Sequence, residues 1–144
     1  AAQASGADIV VGNRWLAGSK TRRHSFMRKM SGWVYRKYMG LFGLGRVDTM
    51  CGFKGFRKEV GVDLFEDLLE PRWLFDTEIA YRAIARGYKI INIPIKWESK
   101  DGSKLSTGTL LKSAWRIWPL ILEIKKNERE IAQNRDVHKA QIKA

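Results

Sequence analysis

Apolar residues along this chain switch between two spacings. Ala7 to Asn13 (ADIVVGN) is a nearly continuous, β-branched run ending in Gly and Asn, the pattern of a buried strand with a functional loop at its carboxyl end. Arg14 to Arg23 reads as that loop. From His24 to Met39, the residues Phe26, Met30, Trp33, Val34 and Met39 recur at near-helical spacing, with Arg28, Lys29, Arg36 and Lys37 between them. This predicts a basic amphipathic helix closed by Gly40, and Gly43, Gly45 and Arg46 mark a turn after it. Met50 to Arg57 sets Phe53 and Phe56 among glycines, as in a strand or extended loop approached closely by another backbone or a ligand. Lys58 to Leu69 reads as a short helix. Pro71 suits the start of the next, whose apolar face (Phe75, Ile79, Ala80, Ala83, Ile84) runs to Gly87 as its cap. Tyr88 to Trp97 alternates strictly, with Ile91, Ile93, Ile95 and Trp97 on one face and Asn92, Pro94 and Lys96 on the other. It predicts a strand that Pro94 places near an edge or bulge. Thr109 to Lys126 fits an amphipathic helix lying at an interface, and Asn127 to Ala144 a polar tail of weak helical character. Strands alternating with helices give an α/β layered fold.

At 144 residues the chain fits one domain with a respectable core. Charge sharpens the picture. Lys and Arg number 27 against 15 acids, a net charge of +12, so the surface favours phosphates, nucleic acid or anionic lipid heads. Arg14 to Lys58 holds twelve bases and one acid, Asp48, whereas Glu59 to Arg86 holds seven acids and three bases. An anionic partner should therefore meet the first third of the chain. Lys20, Arg22, Arg23, Arg28 and Lys29, beside an amphipathic helix, read as facing a membrane or a lipid phosphate, or as a solvated basic face. The single cysteine, Cys51, cannot form an internal disulfide, and no Cys/His cluster has metal-ligand spacing, so a reducing compartment is expected. The most apolar segment, Ile117 to Leu122, is six residues and contains Pro119, against the roughly 20 needed to span a bilayer. The start, without a Met or a secretory leader pattern, suggests a piece of a longer protein.

Three blocks mix glycines, aromatics and charges beyond what packing requires: Asp48 to Phe56 (DTMCGFKGF), Arg72 to Glu78 (RWLFDTE) and Trp97 to Leu105 (WESKDGSKL). Asp76 and Glu78 stand where a helix begins, so its dipole favours anions there. They either serve a reaction or merely cap the helix. Gly52 permits close backbone approach and Lys54 supplies a point charge for a phosphate. Cys51, without a paired base nearby, reads as a small buried hydrophobe rather than a nucleophile. Ser103 and Lys104, with the amides around Gly102, could converge on a phosphate, although such a tripeptide is also common in surface turns. Arg14 could pair bidentately with a phosphate or be a solvated loop residue. His24 and His138 stand apart from any partner and receive no role.

The order of these blocks resembles the C-terminal half of family 2 glycosyltransferases of the GT-A (Rossmann-like) type, in particular those that transfer a sugar to dolichyl or polyprenyl phosphate, the dolichyl-phosphate glucosyltransferase branch above all. The match runs from about Asp8 to Leu105. The resemblance implies an acceptor-side half-domain over residues 1–108, with a mixed sheet and flanking helices, followed over 109–144 by a membrane-interface helix and tail. It implies inverting transfer of a sugar, glucose foremost, from a nucleotide donor such as UDP-glucose. Asp76 would be catalytic, positioning the acceptor or accepting its proton. Substrate would be held by Arg14, Asp48, Gly52, Lys54, Arg72, Trp73, Glu78, Trp97, Ser103 and Lys104. Mg²⁺ or Mn²⁺ would neutralise the donor diphosphate. Its ligands would lie mainly in the preceding half, because no Asp-x-Asp occurs here; alone, the chain would not turn over. The expected place is the cytoplasmic face of a membrane, bound peripherally, and a homo-oligomer is compatible with this. The alternative is a basic module that binds anionic lipid or nucleic acid without catalysis. No recognised nucleic-acid motif is present, and the acid-bearing blocks argue against nucleic acid as the partner.

Overall fold

The computed structural model describes residues 6–22, 26–70, 72, 74–98 and 107–143. Its elements are β1 (Ile9–Gly12), β2 (Lys20–Arg22), α1 (Phe26–Gly40), β3 (Lys54–Phe56), α2 (Lys58–Glu66), α3 (Phe75–Ala85), β4 (Ile90–Ile93), β5 (Lys96–Glu98) and α4 (Thr107–Lys143). The fold is mixed α/β. β1 lies at the centre of a three-stranded sheet, antiparallel to β3 and parallel to β4, with Val11 opposite Lys54 on one side and Asn92 on the other. Ile9 and Val11 face the core, as the β-branched run predicts.

The strand expected from Tyr88 to Trp97 is divided. β4 pairs with β1, whereas β5 pairs in parallel with β2, in a separate two-stranded sheet. The division falls at Pro94, which lacks the N–H a continuing ladder would use. Across it, Ile95 N–H donates to Ser19 Oγ (3.0 Å) and Lys20 N–H to the Ile95 carbonyl (3.0 Å). The expected loop 14–23 thus contains a strand of its own. Burial follows the predicted alternation from Ile93 to Trp97, with Ile93, Ile95 and Trp97 half-buried and Pro94 and Lys96 exposed, but not in β4, where Ile90 to Ile93 are all half-buried.

Four helices among the described residues supply the rest of the core. Met39 and Leu44 meet Val60 and Leu64 of α2, Ile79, Ala80 and Ala83 of α3, and Ile117, Leu120, Ile121 and Ile124 of α4 in one cluster. The α4 residues recur at i, i+3, i+4 and i+7, one helical stripe. At about 2 kcal/mol per buried aliphatic side chain, those four outweigh the roughly 3 kcal/mol that a proline inside a helix costs; Pro119 itself is exposed. The helix continues to Lys143, through the tail expected to be only weakly helical. α3 ends at Gly87 as predicted: Gly87 has φ +76°, and the bonds Gly87 N–H to Ile84 O and Tyr88 N–H to Ala83 O make a Schellman cap that a side chain with a Cβ would strain.

A closed set of ion pairs ties α2, α3 and α4 together. Arg82, with 0% exposure, donates from Nε to Glu78 (2.8 Å), from Nη1 to Glu128 and from Nη2 to the Asp67 carbonyl (2.7 Å). Arg86 reaches Glu128 (2.7 and 2.9 Å), Asp63 (2.7 Å) and Asp67 (2.7 Å), and Arg135 closes on Asp63 (2.5 Å). Burial alone would push the Asp63 carboxyl up, but hydrogen bonds from Arg86, Tyr88 and Arg135 outweigh it and hold it at about 2. Glu128 is lowered in the same way by Arg86 and Arg82 against its own burial.

Candidate functional site

The carboxyl end of β1 is where the chain converges, and in open α/β sheets ligands bind beyond the carboxyl ends of parallel strands. Gly12 N–H donates to the Phe53 carbonyl (2.8 Å) and Asn13 N–H to that of Ile93 (2.9 Å). Asn13 fixes the loop beyond: its amide donates to the Arg46 carbonyl (3.2 Å) and to Asn92 Oδ1 (3.1 Å), while its own Oδ1 accepts from Trp15 N–H (2.9 Å). A Cβ on Gly12 would come within 3.0 Å of Ile95 Cγ2 and 3.2 Å of both Cys51 Sγ and Phe53 Cβ. Glycine there lets the 51–53 loop and the 95–97 segment approach each other across the strand end.

Between them lies a cleft of about 480 Å³ lined by Cys51, Gly52, Phe53, Ile95, Lys96 and Trp97. Gly52 is exposed, and a Cβ there would meet nothing within 4 Å among the described residues, so the backbone there lies open to the cleft. Trp97 also borders a second, wider concavity of about 580 Å³ with Ser19, Lys20, Thr21, Arg22, Lys96 and Glu98. Lys20 and Lys96 are direct partners in the β2/β5 ladder, an unfavourable like-charge pairing that an anion between them would relieve.

Two ion pairs stand behind these openings. Arg14 grips Asp48 from Nε (2.7 Å) and Nη2 (2.8 Å), its own N–H reaches the same carboxylate (3.1 Å), and its guanidinium lies 5.0 Å from the Trp97 ring centroid. Burial works against the Arg14 charge, but Asp48 more than offsets it, and the pKa is raised. The bidentate grip foreseen for a phosphate is thus given to Asp48, and Trp97 is fixed by stacking. Lys54 Nζ bonds Asp76 Oδ1 (2.8 Å) and the carbonyls of Thr49 (3.1 Å) and Cys51 (2.5 Å). Asp76, in the first turn of α3, is 22% exposed. It does not line the cleft but reaches its wall through Lys54 and the Cys51 carbonyl. Beside it, buried Thr77 meets the Tyr35 hydroxyl of α1 (3.5 Å), whose pKa burial raises.

Glu78 is a correction. Expected to face substrate, it has 0% exposure, and its oxygens accept from Leu69 N–H (2.9 Å), Glu70 N–H (2.8 Å) and Arg82 Nε (2.8 Å). It organises the turn before α3 and belongs to the buried network. Arg72 is exposed, and its N–H donates to Glu70 Oε1 (3.3 Å). Cys51 is buried and free, as a small hydrophobe would be. Trp73, Ser103 and Lys104 lie outside the described residues. Sequence reasoning passed over Asn13, Lys96 and Tyr35. The Asn directly after a buried strand was the one available signal, since Asn side chains readily bond nearby backbone groups. Among the described residues no three His, Cys, Asp or Glu side chains gather to hold a metal ion, so those present do not fit a divalent cation. No described helix is long and apolar enough to cross a membrane.

No family model and no solved structure matches the chain. Curated proteins do. The chain is 35% identical over 108 residues to a dolichyl-phosphate beta-glucosyltransferase of Trichomonas vaginalis, covering 74% of this chain and 33% of that protein. It is 34% identical over 85 residues to the dolichyl-phosphate beta-glucosyltransferase of Saccharomyces cerevisiae, covering 58% and 25%. It is 23% identical over 117 residues to a polyprenol monophosphomannose synthase of Mycolicibacterium smegmatis, covering 78% and 44%. The chain spans about a third of the length of the first two Trichomonas relatives. Along the matched stretch, then, the chain is similar to proteins named as dolichyl-phosphate beta-glucosyltransferases and to one named as a polyprenol monophosphomannose synthase.

Proposed function

We propose that this chain forms the acceptor-side, C-terminal half of a GT-A glycosyltransferase domain that transfers a sugar, glucose foremost, from a nucleotide donor to dolichyl or polyprenyl phosphate. One observation carries the reading to residues: Asp76 is the partly exposed carboxylate behind the cleft, one oxygen held by Lys54 at 2.8 Å, while Glu78 two residues on is consumed by the fold. An acceptor phosphate is already ionised at neutral pH, so Asp76 orients it or the sugar rather than removing a proton. Lys20 and Lys96 offer charge to a phosphate at the rim, and Trp97, held by Arg14, is a flat wall for a sugar or base. The donor and its Mg²⁺ or Mn²⁺ would be gripped mainly by residues outside this segment.

The same reading places the protein on the cytoplasmic face of a membrane. On α1, Phe26, Met30, Trp33 and Val34 are exposed, and on α4 Trp115 is 87% exposed near Trp118 and Leu122. Lys29, Lys37, Lys112 and Arg116 are exposed on the same two helices. Aromatics flanked by bases suit an anionic bilayer surface.

The test expresses the complete reading frame and offers UDP-glucose and GDP-mannose with a polyprenyl phosphate in phosphatidylserine vesicles. Transfer from UDP-glucose and sedimentation with the vesicles are expected. Asp76→Asn should lower kcat by about 10²-fold, the scale of losing the alignment of a reacting group, with the circular dichroism spectrum unchanged. Absence of transfer from either donor, or full activity in Asp76→Asn, contradicts the reading.

A further inference from the structure

Lys54 is the residue whose surroundings differ most from the role its sequence suggests. As a phosphate ligand it would need at least one N–H free and open to solvent. Its side chain is 7% exposed, and an ammonium has three donors. Three acceptors surround Nζ: Thr49 O at 3.1 Å, Cys51 O at 2.5 Å and Asp76 Oδ1 at 2.8 Å. A phosphate could be added only by displacing one of them.

What Lys54 joins is informative. It opens β3, locked in register against Val11 of the central strand. Thr49 and Cys51 belong to the loop that walls the cleft, and Asp76 to the first turn of α3. No described contact of Asp76 other than Lys54 fixes its carboxylate, and Oδ2 has no partner among the described residues. With one oxygen committed and no described residue on the other, the carboxylate presents a single, oriented acceptor. The amides at the start of α3 favour the same negative charge.

We infer that Lys54 is a positioning residue: it fixes the Asp76 carboxylate relative to the cleft wall, tethers the 49–51 loop through two carbonyls, and leaves phosphate recognition to other bases. The inference rests on the reading of Asp76 as the catalytic carboxylate. It separates two jobs that the Gly-Phe-Lys sequence seemed to merge, since the glycine lies open at the cleft while the lysine stands behind its wall.

The test compares Lys54→Met, Lys54→Arg, Asp76→Asn and the double variant Lys54→Met/Asp76→Asn in the complete protein. Misplacing a catalytic group by about 1 Å can cost 10²-fold. Lys54→Met should therefore lose about 10²-fold in kcat, with KM for polyprenyl phosphate and for the nucleotide sugar within about twofold of wild type. The double variant should be no slower than Asp76→Asn alone, as for residues acting in one unit. Lys54→Arg keeps the charge and should recover part of kcat. A KM for polyprenyl phosphate raised tenfold with kcat preserved, or losses that multiply in the double variant, would overturn the inference. A second readout needs no turnover: buried Cys51 should react with Ellman's reagent at least tenfold faster in Lys54→Met, because its carbonyl is no longer tied. Unchanged labelling sinks the tether. If the wild type transfers no sugar, the proposed reaction fails, and the labelling experiment alone then decides what Lys54 holds.

Discussion

Two groups of charges in this protein look alike in sequence and behave oppositely in space. Asp63, Asp67, Glu78, Arg82, Arg86, Glu128 and Arg135 form a closed network between helices, in which Arg82 spends Nε, Nη1 and Nη2 on protein acceptors with no exposure. Arg14–Asp48 and Lys54–Asp76 stand at the carboxyl end of the central strand, beside two concavities, and the second pair leaves a carboxylate oxygen without a partner among the described residues. The lesson is in the accounting of acceptors. A buried charge whose partners are all protein atoms holds helices together, whereas a carboxylate fixed from one side only has something left to offer a ligand.

Breaking the closed network should have the largest effect on folding. Arg82→Met leaves the buried Glu78 carboxylate without its Arg partner and Glu128 with Arg86 alone, which costs about 3–5 kcal/mol when one member of a buried ion pair is removed. Urea denaturation should show that loss, and a loss below about 1 kcal/mol would mean the network is not what joins α3 to α4. Acid should act on the same region more gradually. Asp63 titrates at about 2 in the folded protein against its ordinary 3.8, so its contribution is complete above about pH 4 and disappears as pH falls through about 2. Unfolding free energy measured across pH 5 to 2 should decline, and Asp63→Asn should flatten that part of the curve. A wild-type curve already flat there would contradict the assignment.

How far these distinctions can be read from sequence depends on how local they are. The stripe Ile117, Leu120, Ile121 and Ile124 and the cap at Gly87 follow from spacing and backbone preference within a few residues, and the structure has both. Pro94 foretold a disturbance in its strand but not the change of partner from β1 to β2, because that partner sits some 70 residues away in the chain. Asp76 and Glu78 illustrate the limit at the site. Both are acids in the first turn of α3, and local sequence cannot say that the turn at Leu69 and Glu70 folds back onto one of them. Likewise Lys54 reads as a free cation until β3 docks on β1 and brings the Thr49 and Cys51 carbonyls around it. Arg82 and Arg86 drew no attention because their partner Glu128 comes from a helix more than forty residues later, although Glu78 and Arg82 at i, i+4 carried a visible hint.

Those two neighbouring acids also supply the most direct measurement. In the complete protein, sugar transfer to polyprenyl phosphate and urea stability are determined side by side for Asp76→Asn and Glu78→Gln. The account predicts that Asp76→Asn loses transfer by about 10²-fold while keeping wild-type stability, and that Glu78→Gln loses stability but transfers sugar at a near wild-type rate at temperatures where it is folded. The reverse pattern, with a stable but inactive Glu78→Gln and an active Asp76→Asn, would contradict it.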